Sequence, residues 1–442
     1  MTELRPPIAR MTARRRQAVS EVELSRGVHC LVVRRAGVPL VEIRVALPLS
    51  AEQISHSAGP LVLSESVMSG TAAHDRSGLA DAVGRVGGTL GASLSGDTLV
   101  VRGSALAGRL QDILSLLGEV LTSATYPSHE VEGDRGRVAD QMTIALSQPE
   151  TVATEAMTKR LFGRHPYGAE MPRPDAIARV SAPRLKRLHS SLVRPSSAHL
   201  VLVGDVEPRR AVALAEEALS GWAQGGIDHK TAPLKAPPAL RSGPILFFDR
   251  PGSVQSNIRI GGMMAQRGDE DWPAAALANA IFGGMFSSRL VENLRERNGY
   301  TYSPRSSVRH LQVASAMTIG ADVSTEVTAA ALLETRYELG QLVVGGVTDD
   351  ELESARRYTV GTYLLETATQ AGLASALAAL AVSGVGPGYL WTHPARIAKA
   401  AKGAVDEAAR RYWAPSALAT VVVGDAASAA GPLAVLDDVT FV

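Results

Sequence analysis

The sequence contains little cysteine, few aromatic residues and no excess of either charge. Cys30 is the single cysteine among 442 residues, which excludes an internal disulfide and any metal site built from several cysteines. Aromatic residues make up only 4% of the chain, so its cores must be built from small and aliphatic side chains. Lysine plus arginine (45) nearly equals aspartate plus glutamate (44), which argues against nucleic acid or an anionic membrane as the main partner.

Long apolar runs are also missing. No stretch of about eighteen uninterrupted apolar residues occurs, so the sequence predicts no transmembrane helix. The first sixteen residues contain five arginines, but no apolar segment of a secretory signal follows them. We therefore expect residues 1–26 to be a basic, disordered arm and the protein to be cytoplasmic, which a single buried cysteine in a reducing compartment also suits.

The common catalytic motifs are absent as well. There is no G-x-S-x-G elbow, no G-x-x-x-x-G-K-[ST] phosphate loop and no G-x-G-x-x-G after a strand. No two of the ten histidines lie three to five residues apart, so neither H-x-x-E-H nor H-E-x-x-H occurs. An independent enzyme with unrelated chemistry has no motif to support it.

What the chain does contain is a domain-sized repeat. Residues 189–206 read HSSLVRPSSAHLVLVGDV and residues 409–426 read ARRYWAPSALATVVVGDA, and both place Pro-Ser before an apolar run that ends in Gly-Asp. The segment between the halves is rich in glycine, proline and alanine, as linkers are. The repeat predicts homologous domains at 27–220 and 244–442, joined by a linker at 221–243.

Both halves show the same order of elements, in which hairpin-spaced strands alternate with long helices. In the first half the pattern predicts strands at 28–34, 40–47, 89–95, 98–103 and 198–203, with the longest helices at 106–121, 130–147 and 151–162. This order is typical of an α+β fold, in which helices pack on one face of a largely antiparallel sheet.

The most informative segment is FGGMFSSRLVENLRERNGYTY, residues 282–302. A Gly-Gly turn precedes apolar residues at helical spacing, Arg295 lies near the end of that helix, and Tyr302 follows a glycine stop. A guanidinium and a hydroxyl held close together could stabilise a peptide carbonyl as it becomes an oxyanion. From spacing alone, an amphipathic helix with two ordinary surface residues remains an alternative.

Several motifs together resemble the insulinase and mitochondrial-processing-peptidase family of zinc peptidases, the inverzincins. The similarity runs through GPLVLSESVMSGT (59–71), GRVGGTLGASLSGDTLVV (84–101), FGRHPYG (162–168) and SSRLVENLRERNGYTY (287–302). The resemblance implies two homologous α+β domains that form half of a clamshell. His165, in the third motif, precedes proline and is interpreted as a structural turn residue.

Active members of that family carry H-x-x-E-H on a helix and a further glutamate about seventy-six residues later. Aligned here, Leu61 and Glu65 occupy the histidine positions, Ser64 the position of the general base, and Gln141 that of the distant glutamate. The resemblance therefore implies that this chain binds no metal or other cofactor and cannot hydrolyse a peptide alone. Glu65 is interpreted as hydrogen-bonded to its neighbours or solvated rather than as a remaining ligand.

The second half, in contrast, matches the family's substrate-binding pattern. Active relatives place an arginine and a tyrosine seven residues apart, and Arg295 and Tyr302 have that spacing, although Tyr300 and Thr301 replace the usual Leu-Ala. Gly283 and Gly284 resemble the family's glycine-rich substrate loop, but the run is much shorter, which favours a simple tight turn.

These features suggest the non-catalytic subunit of a heterodimeric zinc peptidase. A homologous partner with H-x-x-E-H would supply zinc, and this chain would contribute Arg295 and Tyr302 to an enclosed chamber. An unstructured peptide would add as a strand at a sheet edge, at Thr89–Ser95 or at 308–319. The alternative is a pseudoenzyme that serves only as a peptide-binding or scaffold subunit, as the core proteins of the respiratory bc1 complex are within this family.

Overall fold

The computed structural model of the chain describes residues 18–222 and 234–442. In the first half, the strands are β1 Val19–Glu23, β2 His29–Arg34, β3 Leu40–Pro48, β4 Thr89–Ser95, β5 Thr98–Leu106 and β6 His199–Gly204. Its helices are α1 Ala51–Ser55, α2 Ala58–Ser66, α3 Arg76–Arg85, α4 Leu110–Ser123, α5 Ser128–Ser147, α6 Pro149–Phe162, α7 Pro174–Ala178, α8 Ala182–Leu192 and α9 Pro208–Ala218.

The second half repeats this order. Its strands are β7 Ile245–Asp249, β8 Gln255–Met264, β9 Arg305–His310, β10 Ser315–Ser324, β11 Leu418–Gly424 and β12 Val439–Phe441. Its helices are α10 Trp272–Asn279, α11 Arg289–Val291, α12 Thr328–Gly340, α13 Asp349–Glu366, α14 Gln370–Val382, α15 Tyr389–Lys399, α16 Lys402–Tyr412 and α17 Ala426–Ala434. Three π-helical turns, Ala280–Gly284, Glu292–Arg297 and Gln341–Gly345, extend α10, α11 and α12.

Each half contains one six-stranded sheet, with strand orders β1-β2-β6-β3-β5-β4 and β12-β7-β11-β8-β10-β9. Most neighbouring strands are antiparallel; the parallel pairs are β2 with β6, β7 with β11, and β7 with β12. Five strands of one sheet have a counterpart at the same position in the other. The remaining edge strand is β1, from near the start of the chain, in the first sheet and β12, from its end, in the second. The predicted α+β fold with two homologous, largely antiparallel domains is confirmed.

Each half contributes one helix to the other. Helix α14 of the second half covers the first sheet, and α6 of the first half covers the second sheet. Alternate residues of β2, β3 and β6 point to opposite faces of the first sheet: Cys30, Val32 and Val45 enter the core of that half, while Leu31, Val33 and Ala46 enter a core that contains α14. On the second sheet, Val422 faces its own half and Val421 packs with α6. Each sheet therefore has its own helices on one face and a single helix from the other half on the opposite face.

A buried arginine in the centre of each sheet reaches the start of the exchanged helix. Arg44 of β3 is bonded to Glu42, at 2.9 Å, and to Ser375 of α14, at 3.2 Å. Arg259 of β8 lies 2.8 Å from Asp322 and 3.4 Å from Glu150 of α6. These arginines hold equivalent positions in the repeat and fix the exchanged helices against the sheets.

The boundaries at the chain start and at the linker differ from the sequence-based expectation. Val19–Glu23 forms a strand antiparallel to β2, so the prediction of a disordered arm extending to residue 26 is wrong for its last part; residues 1–17 lie outside the described residues. Trp222 is buried in the first core and donates its indole N–H to the Val193 carbonyl oxygen at 3.1 Å, so it belongs to the first half rather than to the linker. Residues 223–233 of the predicted linker also lie outside the described part.

One helical stretch, Trp272–Arg297, is long and apolar enough to span a membrane by length and composition alone. Within the fold, however, 67% of its apolar window is buried. A bent pair, Asp349–Glu366 with Gln370–Val382, passes the same test only if both helices are taken together across a 105° bend. Since core helices of globular folds have this composition, the stretch is explained by packing.

Candidate functional site

The four positions that the resemblance assigns to the zinc ligands and the base lie on two helices, α2 and α5. Leu61, half-buried, packs against the core of the first half, and Ser64 is buried and donates its hydroxyl to the Leu61 carbonyl oxygen at 2.8 Å. Glu65 is exposed on α2, and Gln141 is exposed on α5, which packs against α2. An aliphatic side chain, a hydroxyl bonded to its own helix backbone and two solvated polar groups do not fit a zinc ion.

Nowhere in residues 18–222 or 234–442 do three or more histidine, cysteine, aspartate or glutamate side chains cluster in a way that could hold a metal ion. Cys30 is buried in β2, and burial raises the pKa of its thiol to about 12. A buried thiol with so high a pKa is a packing residue rather than a nucleophile.

Gly283 and Gly284 end the π-helical turn that extends α10. A Cβ at Gly283 would lie 2.9 Å from the Cβ of Ser306 in β9, and one at Gly284 would lie 2.8 Å from Nδ2 of Asn279. Ser306 also donates its hydroxyl to Oδ1 of Asn279 at 2.6 Å. Gly283 therefore lets the helix approach the edge strand closely, and Gly284 leaves room for Asn279, which explains both glycines by packing. Substrate binding by this pair stays a prediction.

Arg295 lies on the second π-helical turn, Glu292–Arg297, which continues α11. The buried side chains of Leu290 and Leu294 anchor this segment in the core, so the opposite face, with Arg295, points outward. The side chain of Arg295 is 29% exposed, and its Nε lies 3.3 Å from a carboxylate oxygen of Glu296. The guanidinium is held at the surface with its N–H groups accessible.

Two aromatic rings enclose the Arg295 guanidinium. Its Cζ lies 4.6 Å from the ring centroid of Tyr302 and 4.9 Å from that of Phe286. Tyr302 is 79% exposed and Phe286 68% exposed, so the three side chains form a projecting stack. Each such contact at an exposed position contributes about 0.5–1 kcal/mol. The Arg295 guanidinium thus lies against the Tyr302 ring, and joint donation by Arg295 and the Tyr302 hydroxyl stays a prediction.

The stack presents hydrogen-bond donors to solvent. The Tyr302 hydroxyl has no partner within the described part of the chain, and the guanidinium keeps N–H groups beyond the one that faces Glu296. A planar guanidinium held in place by rings and a free hydroxyl can both donate to one carbonyl oxygen or carboxylate. Phe286 was not identified from the sequence, because a lone phenylalanine between methionine and serine carries no motif.

Both sheets end in an edge strand close to the seam between the halves. β4, Thr89–Ser95, is an edge as predicted, whereas the predicted edge at 308–319 covers two strands: Arg305–His310 is the edge and Ser315–Ser324 is internal. The turns of the two edge hairpins meet, since Gln312 donates its backbone N–H to Asp97 at 2.8 Å and its side-chain amide to the Asp97 carbonyl oxygen at 2.8 Å.

The FGRHPYG motif stabilises this contact between the two hairpin turns. Tyr167 donates its hydroxyl to the Asp97 carboxylate at 2.6 Å, and burial together with that bond raises its pKa. His165 caps the short turn before it, with Nδ1 accepting the Tyr167 backbone N–H at 3.2 Å and Nε2 near the Lys235 carbonyl oxygen at 2.8 Å. The interpretation of His165 as a structural turn residue is confirmed.

Comparison with known families gives adjacent matches to one peptidase family. Residues 63–175 match the family model described as "Insulinase (Peptidase family M16)", and residues 179–358 match the one described as "Peptidase M16 inactive domain". Together the two matches span more than half of the chain.

Curated relatives are moderately similar. A protein named as an uncharacterised zinc protease of Mycobacterium leprae is 26% identical over 65% of this chain and 64% of its own length. A protein named as a non-peptidase homolog of Helicobacter pylori is 23% identical over 58% of this chain and 59% of its own length. The aligned part of the chain thus spans less than two thirds of these relatives.

Solved structures share the fold over almost the whole chain. A structure titled as a peptidase M16 inactive domain from Pseudomonas fluorescens has a TM-score of 0.85 and 22% identity, covering 92% of this chain and 98% of that one. A protease from Helicobacter pylori has a TM-score of 0.85 and 19% identity, covering 92% and 99%. At these identities the similarity establishes the architecture.

Proposed function

The chain belongs to the insulinase, or M16, family of peptidases, and we propose that it is the non-catalytic subunit of a heterodimeric zinc peptidase of that family. A homologous partner would carry H-x-x-E-H, the zinc ion and the general base. This chain would contribute its exposed Arg295 and Tyr302, and part of the wall around the substrate.

The arrangement of Arg295 and Tyr302 is the observation that carries this proposal. The second half keeps the Arg295 guanidinium 4.6 Å from the Tyr302 ring centroid, with the ring mostly exposed to solvent, whereas the first half has Leu61 and Ser64 where a metal and base would be needed. Donors placed in advance lower the barrier to carbonyl attack, because negative charge develops on that oxygen in the transition state. In this proposal they act on a centre that another subunit supplies.

The substrate class follows from the sheet edges. β4 and β9 each present one unpaired edge within the described sheets, and an extended peptide can add there through backbone hydrogen bonds. Recognition through the backbone favours unstructured peptides over folded proteins. A peptide substrate of this kind, met in the cytoplasm, is part of the proposal.

A purely peptide-binding or scaffold role is the second candidate. It is favoured by the contacts of Arg295, whose guanidinium is already enclosed by Phe286 and Tyr302 and faces Glu296 at 3.3 Å. In that case the stack would be a binding surface and would not act on a reacting carbonyl.

Affinity purification of the full chain from its native cells, followed by partner sequencing and zinc analysis, tests the proposal. We expect a near-stoichiometric homologous subunit with H-x-x-E-H, about one zinc per pair, and peptidase activity that neither chain shows alone. Recovery of the chain alone, or in a zinc-free assembly without such a subunit, would reject the heterodimer and favour the scaffold role.

A further inference from the structure

A cavity of about 200 Å³ lies at the seam between the two halves, away from the Arg295 stack. It is bounded by the face of the first sheet that α14 covers and by the segments around β9 of the second half. Its charged and titratable lining consists of Arg44, Arg102, Arg267, His310 and Asp97. Three of these five groups are arginines.

Arg267 is a cation without a counterion. It follows β8 in the segment before α10, and its guanidinium makes no hydrogen bond and no ion pair with any described residue. Burial lowers its pKa, while Tyr389, Tyr363 and the exposed Glu366 act in the opposite direction without contacting it. Because a half-buried guanidinium without an ion-pair partner keeps its N–H donors available, such a side chain is expected to receive an anion.

Two other polar atoms near Arg267, on Tyr363 and His393, also lack hydrogen-bond partners within the described part of the chain. The Tyr363 hydroxyl and Nδ1 of His393 are buried without a hydrogen bond, and their rings lie 5.4 Å apart. Trp272 joins this cluster to the cavity, because its ring centroid lies 6.5 Å from that of His393 and 4.4 Å from that of His310. Burial and then the Arg267 charge lower the pKa of His310 to about 3 and that of His393 to about 4.

The acid in the lining cannot neutralise Arg267. The Asp97 carboxylate already accepts the Tyr167 hydroxyl at 2.6 Å and the Gln312 backbone N–H at 2.8 Å. Arg44 has its own carboxylate partner, Glu42, at 2.9 Å. The exposed Arg102, directly opposite Arg44 on β5, adds a further positive charge. The lining therefore contains more cationic than anionic groups.

We propose that this seam cavity is an oxyanion-binding site, in which Arg267 holds a phosphate or carboxylate group and Arg102 contributes charge. A guanidinium matches either group with two parallel N–H donors. The site does not depend on the proposed function, since it lies apart from Arg295 and needs no partner subunit.

Isothermal titration calorimetry on the purified full chain, in a phosphate-free buffer of constant ionic strength, tests this site. Inorganic phosphate is one probe; a short peptide with a free C-terminus and its amidated counterpart form the second. Arg267→Gln is expected to weaken binding about tenfold or more, the effect of losing a charge-assisted hydrogen bond. The matched control is Arg187→Gln, an exposed arginine on α8 that should bind as the unmodified chain does.

Binding of phosphate alone would identify a free-phosphate site, and binding of the free but not the amidated peptide would identify a carboxylate site. If Arg267→Gln does not fold, the exposed Arg102→Gln takes its place and should weaken binding by a smaller factor. Binding of neither probe, or equal binding by the arginine variants and the Arg187→Gln control, would overturn the proposal.

Discussion

The two halves have the same order of elements, but the helices that precede the edge hairpin differ in their regularity. In the first half, α2 and α3 are regular, and Asp75 caps α3 by accepting the Gly78 N–H at 2.7 Å. In the second half, α10 and α11 each run into a π-helical turn, Ala280–Gly284 and Glu292–Arg297. Since π-helical turns are frequent at functional sites, the distorted half is the one expected to bind substrate.

Side-chain exposure shows the same contrast. At the first-half positions where a zinc ligand and a base would be needed, Leu61 packs against the core and Ser64 is buried. The second half instead leaves Phe286 and Tyr302 mostly in solvent, on either side of Arg295. Large exposed rings clustered around a cation add little to the stability of the fold, so we expect a role in recognition for them.

The largest expected effect concerns the donors of the second half. In the reconstituted pair, Arg295→Ala should lower kcat by a factor of about 10² to 10³, because one transition-state hydrogen-bond donor is lost. The measurement is steady-state hydrolysis of an unstructured peptide, with kcat and KM determined separately.

Arg297→Ala is the matched control, since Arg297 lies on the same π-helical turn and pairs at the surface with Glu292 at 3.5 Å. It should leave kcat within about twofold of the unmodified pair, as a lost surface ion pair does. Equal losses in both variants, or none in either, would remove the catalytic role assigned to Arg295.

The second prediction concerns the exchanged helices, which make the halves depend on each other. Leu377 of α14 is fully buried in the core that contains Leu31 and Val203 of the first sheet. Leu377→Ala should lower the free energy of unfolding by about 2–5 kcal/mol. Urea denaturation measures this, and hydrogen exchange should show lost protection in β3 and β6 of the other half.

Leu333→Ala on α12 is the control, because Leu333 is 51% exposed and its loss should change stability by no more than about 0.5 kcal/mol. If Leu377→Ala left the first half fully protected, the halves would be independent despite the exchange.

Much of this fold could be predicted from the sequence, because the two halves repeat the same local signals. The strand predicted at 89–95 is Thr89–Ser95, and the helix predicted at 130–147 is Ser128–Ser147. The exchange of α6 and α14 could not be predicted, since hydrophobic periodicity shows that a helix buries a face but not which sheet it covers. Val19–Glu23 was missed because only its pairing with β2 makes that short, half-polar segment a strand.

The candidate site was predictable in part. A motif at fixed spacing indicated Arg295 and Tyr302, and the structure brings them together at 4.6 Å. Phe286 and the unpaired Arg267 were missed, because their properties arise from tertiary neighbours rather than from adjacent residues. The Gly283–Gly284 pair has a recognisable pattern, yet only the structure shows that a Cβ at Gly283 would meet Ser306.

That close approach gives the third prediction, which compares equivalent helices of the two halves. Gly283→Ala should cost about 1–3 kcal/mol of unfolding free energy, because the new Cβ meets the backbone of β9 at 3.0 Å. Gly59→Ala on α2 meets only the flexible end of Leu188 at 3.1 Å and gains up to about 1 kcal/mol of helix propensity, so it should be nearly neutral. Urea denaturation of both variants measures the two changes in unfolding free energy. Equal losses would show that the two helices are packed alike.

The smallest effect concerns acid stability. His199 lies at the start of β6 with Nδ1 3.2 Å from Nδ1 of His29, and burial, then the His29 charge, lowers its pKa from 6.5 to about 4. Between these values the unfolded chain binds more protons than the folded one, so stability falls as the pH drops from about 6.5 to 4.

His199→Gln should therefore flatten the dependence of unfolding free energy on pH across that window, measured by urea denaturation at pH 7, 6 and 5. His129→Gln, which replaces an 81% exposed histidine, should leave the slope unchanged. The second half keeps its own buried histidines, His310 and His393, with pKa values lowered to about 3 and 4. Acid sensitivity should thus persist in part in the variant, and its complete loss would mean that the first half alone controls acid unfolding.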